Sequence, residues 1–406
     1  MGLDAVQRIG RRTLIGGALA MPAIAGAHAA DRKLRVSVGR QPWAAGNSPI
    51  TQYMIAHKLF ESRAAELGYE LTVDWRDYPS ANPMVEALIG GNLDFGMWGD
   101  TPVIRVIALN QPVSVLVVGE GHLRFIVCTR DGSPIHDLAG LKGKTVGALL
   151  GGDPFNAFSQ MLLYVLGSAD PKALDIRIVN APVVSQAASV PRGMDAAVTI
   201  QPAFLAAVPT GTVGIMNSYG YTGSYYEGPL GKGAGILVPA AKKSPFWPEG
   251  FYVHRSFWVV RDAISERTPN VVTAFVMAQQ QSIDALMKMS PGDVSQLVKR
   301  YWKLDPSDGA KVVGDELLFR RGWAWPTEGD AWALVAVSKF MVASKMISEP
   351  LTWAAVKHAF TKTAPLMQEA YDRLGRQPPE ATFIAKNAPD LRGLPAWEMN
   401  QWRERS

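Results

Sequence analysis

Two short segments of the chain place polar side chains after an apolar run and next to a proline. One ends at residues 99–102 (Gly-Asp-Thr-Pro) and the other at residues 199–202 (Thr-Ile-Gln-Pro). A carboxylate, hydroxyl or amide at such a position either caps the helix that follows or reaches a ligand beside it. The backbone N–H groups at a helix N-terminus also attract anions. The pattern therefore favours the binding of a small molecule near two helix N-termini.

Both segments have the same surroundings. Each begins at a Gly-rich turn, passes through Leu-Asp or Met-Asp into an apolar run and stops at the proline. They cover residues 90–102 and 192–202, with helical patterns at 84–89, 103–109, 185–190 and 203–208. A helix, a buried strand and a helix with proline in its first turn form a unit of a parallel α/β sheet, in which ligands bind beyond the carboxyl ends of the strands. Two copies about a hundred residues apart predict two similar lobes that share one ligand.

Apolar runs and periodicity place further elements around these segments. We expect strands near residues 34–38, 70–75, 113–118, 124–130, 176–179, 213–216 and 257–260. The stretch 138–147 is expected to begin the second lobe with a short helical turn, a Gly-Lys turn and a strand. We expect helices at 50–67 and 155–166 and amphipathic helices near 271–289, 293–301, 308–320, 330–347 and 352–373. The strand at 124–130 is expected to cross between the lobes, and the strand at 257–260 to return to the first lobe.

The order of elements predicts a discontinuous first lobe with an inserted second lobe. We assign residues 30–123 and 250–375 to the first lobe with its C-terminal helices, 124–249 to the second lobe and 376–406 to a surface tail. Parallel-sheet lobes joined by two chain crossings are typical of a hinged clamshell that closes on a ligand.

The N-terminal 29 residues have the pattern of an export signal. Two arginines at Arg11 and Arg12 precede an apolar stretch to about residue 25, and Ala27-His28-Ala29 offers a cleavage site. We interpret this as a twin-arginine signal peptide, with a general-secretion signal as the alternative. The mature chain is then expected outside the cytoplasm.

Composition limits the classes of function. The 406 residues are 48% hydrophobic and 19% charged, with a formal net charge of +5, which is too small and too evenly spread to indicate nucleic-acid binding. Cys128 is the only cysteine, so no internal disulfide can form, and its apolar neighbours predict a buried thiol. The six histidines show no metal-binding spacing, and we expect no metal and no cofactor.

Four landmarks together resemble one family. They are the export leader, Gly91-Asn-Leu-Asp-Phe-Gly96, the Leu138–Gly147 stretch with Lys-Gly-Lys-Thr-Val-Gly at its end, and Gly193-Met-Asp-Ala-Ala197. The chain is similar to the periplasmic solute-binding proteins of ABC importers for nitrate, sulfonates and taurine. The resemblance implies a type II periplasmic-binding-protein fold with a helical C-terminal extension. It also implies a periplasmic location, a small and often anionic ligand, and partners in an ABC permease and its ATPase, through which alone the protein would meet the membrane. We expect a monomer.

One departure leaves the ligand class open. The sulfonate and taurine branches often carry an aromatic residue and an Asp before the proline of the second segment, where this chain has Thr199-Ile200-Gln201. The C-terminal part is closer in length to that of the nitrate and bicarbonate branch.

The candidate ligand-binding residues follow the predicted strands. They are Arg40, Gln41, Trp43, Asn47, Trp98, Asp100 and Thr101 in the first lobe and Asp153, Phe155, Asn156 and Gln201 in the second. Arg40 offers a fork of donors for an oxyanion, and Trp43 could stack on a planar ligand. The alternatives are an exposed loop cation and local packing.

Asp100 and Asp153 oppose a simple anion, because like charges repel in a dry site. Both could be helix caps, which we favour. Otherwise the ligand is a zwitterion or an amine, or a cation binds beside it. An enzyme on the same fold, of the desulfinase or pyrimidine-synthesis kind, is the alternative function. It is disfavoured because residues 40–47 lack a cysteine and no Ser-His-Asp or Gly-x-Ser-x-Gly pattern is seen. No catalytic residue is therefore predicted.

Overall fold

The computed structural model describes residues 32–42, 47–121, 123–181, 189–222, 235–247 and 250–378. The predicted signal peptide, Trp43, most of the predicted helix at 185–190 and nearly all of the predicted tail lie outside these residues. Among the helices that are described, none has both the length and the apolar character needed to cross a bilayer.

Ten strands form the two sheets. They are β1 (Lys33–Arg40), β2 (Glu70–Asp77), β3 (Phe95–Gly99), β4 (Val113–Gly121), β5 (Phe125–Arg130), β6 (Thr145–Ala148), β7 (Arg177–Asn180), β8 (Ala196–Ile200), β9 (Thr212–Asn217) and β10 (Arg255–Arg261).

The α-helices of the described residues fall between and after the strands. They are α1 (Ser48–Ala56), α2 (Leu59–Glu66), α3 (Ala81–Ile89), α4 (Asp100–Ala108), α5 (Asp153–Leu166), α6 (Gln201–Ala207), α7 (Asp262–Arg267), α8 (Pro269–Leu286), α9 (Pro291–Gln296), α10 (Lys299–Trp302), α11 (Pro306–Asp315), α12 (Leu317–Arg321), α13 (Glu328–Ala343), α14 (Trp353–Ala359) and α15 (Ala364–Arg373).

The first sheet has the order β2-β1-β3-β10-β4. Strand β1 is parallel to β2 and β3, whereas β10 is antiparallel to both of its neighbours. The predicted parallel pairing is therefore present for β1 with its two neighbours, and the sheet becomes mixed at β10. This strand enters from the second lobe rather than through a crossover helix, so it starts at the edge where its neighbours end.

The second sheet repeats this arrangement with the order β7-β6-β8-β5-β9. Strand β5, which enters directly from the first lobe, is antiparallel to β8 and β9, and β6 is parallel to β7 and β8. Each sheet therefore contains one strand, β10 or β5, that the chain enters directly from the other lobe. These two strands place the connections between the lobes at the ligand-facing edges of both sheets.

Three of the predicted helices are interrupted. The helix expected at 50–67 is divided into α1 and α2 at Lys58, whose φ of 48° is left-handed. The C-terminal stretches near 293–301 and 308–320 each contain two short helices. Amphipathic periodicity continues across such breaks, because the apolar residues on both sides face the same core.

The C-terminal helices contact both lobes. Thr363 donates a hydrogen bond to the carbonyl oxygen of Val115 in β4, at the back of the first sheet. Phe340 of α13 packs edge-on against Tyr164 of α5 in the second lobe, with ring centroids 5.9 Å apart. The helical extension therefore packs on both lobes beside the hinge.

Candidate ligand-binding site

The ends of strands from both lobes meet at one cleft. Strand β3 ends at Gly99, and in the sheet Ser256 of β10 lies opposite both Gly99 and Glu120. In the second lobe β8 ends at Ile200. Because β10 is antiparallel to its neighbours, its first residues lie at the same edge as the last residues of β3 and β4.

The cleft comprises about 490 Å³, part of it open to solvent, and both lobes line it. Its lining residues are Gln41, Ala81, Asn82, Gly99, Glu120, Leu123, Phe125, Leu149, Gly152, Asp153, Pro154, Ile200, His254 and Ser256. Apolar side chains form one part of the wall, and carboxylate, amide, hydroxyl and imidazole groups form the rest. This mixture is typical of sites for small organic molecules.

Hydrogen bonds join the lobes beside the cleft. The backbone N–H of Thr101, in the first turn of α4, donates to Oδ1 of Asp153 at 2.8 Å. The side-chain amide of Asn156 donates to Oγ1 of Thr101 at 3.1 Å. Asn82 donates to the carbonyl oxygen of Leu150 at 3.3 Å. The N-terminus of α4 in the first lobe is thus bound by side chains of α5 in the second.

Gly99 makes this contact possible. A Cβ atom built on Gly99 would lie 1.7 Å from Oδ2 of Asp153. Any larger residue would therefore displace the Asp153 carboxylate from the helix N-terminus.

Asp100 and Asp153 both lie at this contact between the lobes, but their pKa values are shifted in opposite directions. Burial and the charge of Asp153 raise the pKa of Asp100 well above its ordinary value. Burial also opposes the charge of Asp153, but its interactions with His254 and with the Thr101 N–H outweigh burial and lower its pKa. Two adjacent carboxyls in a dry site cannot both ionise at little cost, and here Asp153 carries the charge.

A chain of polar side chains continues across the floor of the cleft. Nε2 of His254 lies 3.7 Å from Oδ2 of Asp153 and 3.4 Å from Oγ of Ser256. Ser256 donates to Oε2 of Glu120 at 3.1 Å. The structure therefore brings a serine, a histidine and an aspartate together, but both partners face the same ring nitrogen. A proton relay needs the base and the orienting carboxylate on different nitrogens, so this is not a catalytic triad.

Glu120 has a second oxygen that is unpaired. Its side chain is 2% exposed, and Oε1 has no hydrogen-bond partner among the described residues. Burial, together with the nearby carboxylates of Glu316 and Asp153, raises the pKa of Glu120 well above its ordinary value. Nδ1 of His254, also 2% exposed, likewise lacks a partner in the part of the chain that is described.

The structure separates the predicted site residues into groups. Gln41 and Asp153 line the cleft. Asp100, Thr101 and Asn156 form the lobe-to-lobe contact beside it. The first-turn carboxylates therefore have a further role, because Asp153 binds the N-terminus of a helix in the opposite lobe.

Arg40 lies elsewhere. Its side chain is only 6% exposed, and its guanidinium donates to Asp77 at 2.8 Å, Gln52 at 3.2 Å and the hydroxyl of Tyr301 at 2.9 Å. It is not among the residues that line the cleft. The structure therefore gives Arg40 neither the predicted oxyanion role nor the alternative of an exposed loop cation. Its guanidinium joins Asp77 and Gln52 of the first lobe to Tyr301 of the C-terminal helices.

The remaining predicted residues are also outside the cleft lining. The amide of Gln201 donates to Asp315 at the end of α11, at 2.9 Å. Trp98 is fully buried within the first sheet, Asn47 is buried before α1, and Phe155 packs partly buried against the core. Trp43 is not among the described residues.

Sequence reasoning missed Glu120, His254 and Ser256. The sequence did contain a signal. Glu120 follows the apolar run of β4, and His254 and Ser256 flank Arg255 just before the apolar run of β10. It was overlooked because the sequence pattern gave no direction for β10, and only an antiparallel β10 places its first residues at the edge where β3 and β4 end. Among the described residues, no group of three or more His, Cys, Asp or Glu side chains is arranged to hold a metal ion.

Comparison with known sequences gives two matches. The family model described as NMT1/THI5 like matches residues 65–212. A protein of Escherichia coli (strain K12) named for the binding of aliphatic sulfonates is 29% identical over 176 residues. That alignment covers 42% of this chain and 53% of the relative, so the chain spans about half the length of the relative that it matches.

Comparison with solved structures extends over both lobes. The periplasmic aliphatic sulphonate binding protein SsuA from Escherichia coli aligns with a TM-score of 0.53 and 18% identity, over 79% of this chain and 91% of that one. The periplasmic nitrate-binding protein NrtA from Synechocystis PCC 6803 aligns with a TM-score of 0.57 and 12% identity, over 84% and 89%. At these identities the likeness establishes the fold, which is the predicted two-lobed clamshell. In sequence over residues 65–212 and in fold over both lobes, the chain is thus similar to the nitrate- and sulfonate-type periplasmic binding proteins, which confirms the predicted resemblance.

Proposed function

We propose that this protein is the binding component of an ABC importer, located in the periplasm as a monomer. It captures a small molecule between its two lobes and delivers it to a permease and its ATPase. Sulfonates, taurine, nitrate and related organic acids are the ligand classes that the sequence resemblance suggests.

The observation that carries this proposal is the position of the buried polar groups. Glu120 and His254 lie between the two lobes at the strand ends, each with a polar atom that has no partner in the described part of the chain. Burying a polar group without a hydrogen bond costs roughly 1–3 kcal/mol. A ligand that satisfies these atoms would recover that cost, and closure of the hinge around it would link binding to a shape that a permease can recognise.

The alternative of a thiol-dependent enzyme finds no support at Cys128. Its side chain is buried in β5, and burial raises the pKa of the thiol to about 12. A thiol that remains protonated at neutral pH is a poor nucleophile. We therefore infer a binding function rather than catalysis.

A thermal-shift screen of the purified mature protein tests the proposal. The panel contains taurine, alkanesulfonates, nitrate and bicarbonate, each followed over time for product formation. A ligand present at 100 times its Kd should stabilise the fold by about 2.7 kcal/mol and be recovered unchanged. Conversion of a panel member into a product, without stabilisation by any of them, would contradict a binding function.

A further inference from the structure

The cleft is acidic. Glu120 and Asp153 line it, and none of the described lining residues is Lys or Arg. The arginine that follows His254 in β10 points away from the cleft, because Nε of Arg255 donates to Asp330 at 2.5 Å on the other face of the sheet. An anion entering the cleft would meet the carboxylate of Asp153, and the imidazole of His254 beside it already faces that carboxylate.

The position at which an anion would bind is already occupied. The N-terminus of α4 offers backbone N–H groups and the positive end of the helix dipole. Oδ1 of Asp153 accepts the hydrogen bond of the Thr101 N–H there, over the bare backbone of Gly99. The carboxylate of the chain itself therefore takes the position that the oxyanion of a ligand would take at this helix.

The unpaired atoms of the cleft are suited to a donor. Oε1 of Glu120 is an acceptor with no described partner, inside a cleft whose other polar atoms are largely paired. A carboxylate accepts its strongest hydrogen bonds from a charged nitrogen. Phe125, Leu149 and Ile200 add an apolar wall to the same cleft, which suits a compact carbon skeleton or a planar ring.

We propose that the cleft binds the nitrogen end of a small amine-bearing molecule, held between Oε1 of Glu120 and the charged Asp153. This inference rests on the proposed binding function and narrows its ligand class. A zwitterion such as taurine satisfies it through its ammonium group, whereas nitrate and amine-free sulfonates do not.

Amines and anions would also differ in the protons that are exchanged when they bind. The groups that act on Glu120 are Ser256 from β10, Glu316 from the start of α12 and Asp153 from α5, and His254 contacts the same Ser256 hydroxyl. Since burial and these carboxylates raise the pKa of Glu120, a cationic nitrogen that binds to it will lower that pKa and release a proton. An anion held by a protonated Glu120 would leave that proton in place and release none.

Calorimetric titration of three matched pairs tests the inference. The pairs are taurine and ethanesulfonate, β-alanine and propionate, and 4-aminopyrimidine and pyrimidine, so that the members of each pair differ only in the amino group. We expect the amine of at least one pair to bind at least tenfold more tightly than its partner. Equal or tighter binding of the amine-free members would overturn the amine inference and leave the binding function intact. No binding by any of the six would overturn both.

Two glutamate variants localise the effect. Glu120→Gln keeps the acceptor for Ser256 and removes the charge, so the affinity for the amine should fall about tenfold or more. Glu70→Gln, on the exposed edge strand β2, is the matched control and should leave the affinity unchanged. An unaltered affinity in a folded Glu120→Gln protein would overturn the assignment.

The number of protons exchanged provides a readout on the unaltered protein. Titrations of the amine at pH 7 in buffers of different ionisation enthalpy should show net proton release. Binding without proton release, or with proton uptake, would overturn the inference, and this outcome does not depend on how well any variant folds.

Discussion

Buried carboxyl groups lie on both sides of β10, and the two sides differ in the cations that balance their charges. On one side, Asp330 accepts hydrogen bonds from Arg255 and from Arg321, at 2.5 and 3.0 Å. On the other side, the cleft carboxyls Glu120 and Asp153 have no Arg or Lys among the described lining residues. Strand alternation explains the separation, because Arg255 faces one side while His254 and Ser256 face the other.

The difference in pairing separates a carboxylate that stabilises the fold, Asp330, from one suited to a ligand, Glu120. The charge of Asp330 is needed by two arginines and by the backbone N–H of Thr327, so its pKa stays below the ordinary value despite complete burial. Glu120 has one partner for two oxygens, and its pKa is raised. A fully paired buried charge is part of the fold, whereas a partly paired one beside a cleft indicates a ligand.

The largest expected effect comes from Asp330, the carboxylate that is paired with two arginines. Asp330→Ala leaves Arg255 and Arg321 buried without their carboxylate and removes one half of the capping box that Asp330 forms with Thr327 at the start of α13. The free energy of unfolding should therefore fall by about 3–5 kcal/mol. Denaturant titration measures this loss. Asp308→Ala, which breaks a partly exposed pair with Lys311, is the control and should cost about 1 kcal/mol or less. Similar losses in both variants would contradict the distinction.

The next effect concerns closure of the cleft. Gly99→Ala places a methyl group against the carboxylate of Asp153, and overpacking of this kind costs about 1–3 kcal/mol. Because the clash exists only when the lobes meet, we expect ligand affinity to fall about 10- to 100-fold with little change in the melting temperature of the free protein. Gly314→Ala in α11 is the control, since a Cβ there meets open space. A normal affinity in Gly99→Ala would show that the lobes do not need this contact.

Arg40 offers a test of the residue that sequence reasoning placed at the ligand. Because its guanidinium joins Asp77, Gln52 and Tyr301, Arg40→Ala should lower the free energy of unfolding by about 1–2 kcal/mol and leave ligand affinity unchanged. Calorimetry and denaturant titration of the same sample separate the two effects. Lost affinity at full stability would return Arg40 to the binding site.

The smallest effect is a pH dependence of stability. Burial raises the pKa of Glu316 to about 7, although the N–H groups of Leu318 and Gly121 and the charges of Arg255 and Arg321 oppose the rise. Its contribution to stability is therefore fully present below pH about 4.5 and is lost as the pH rises through about 7. The slope should be at most about 1.4 kcal/mol per pH unit.

Glu316→Gln should flatten this slope in denaturant titrations between pH 5 and 7.5. The variant keeps an acceptor for the two N–H groups, so its fold is expected to persist. Stability that rises steadily across this range, in the unaltered protein, would contradict the assigned direction.

The sequence predicted the two lobes well because each strand has its own local pattern. The runs of β3 and β8 are apolar throughout and end at a proline-containing helix start, so their type and position needed no knowledge of distant residues. The direction of β10 could not be predicted in this way, because it depends on the route of the chain through the other lobe.

The site was predicted only in part for a related reason. Asp153 and Gln41 follow strand ends or turns that are recognisable locally. The partners of Arg40 are not local, since the hydroxyl of Tyr301 is contributed by a residue 261 positions away. A side chain suited to an oxyanion is equally suited to a buried carboxylate, and only the tertiary structure decides between them.

The most direct test of the central claim is a crystal structure of the protein with the amine that binds most tightly among the three pairs. We expect the ligand nitrogen to lie between the lobes, at about 2.7–3.2 Å from Oε1 of Glu120. An acidic group of the ligand at Glu120, or a ligand outside this cleft, would contradict it.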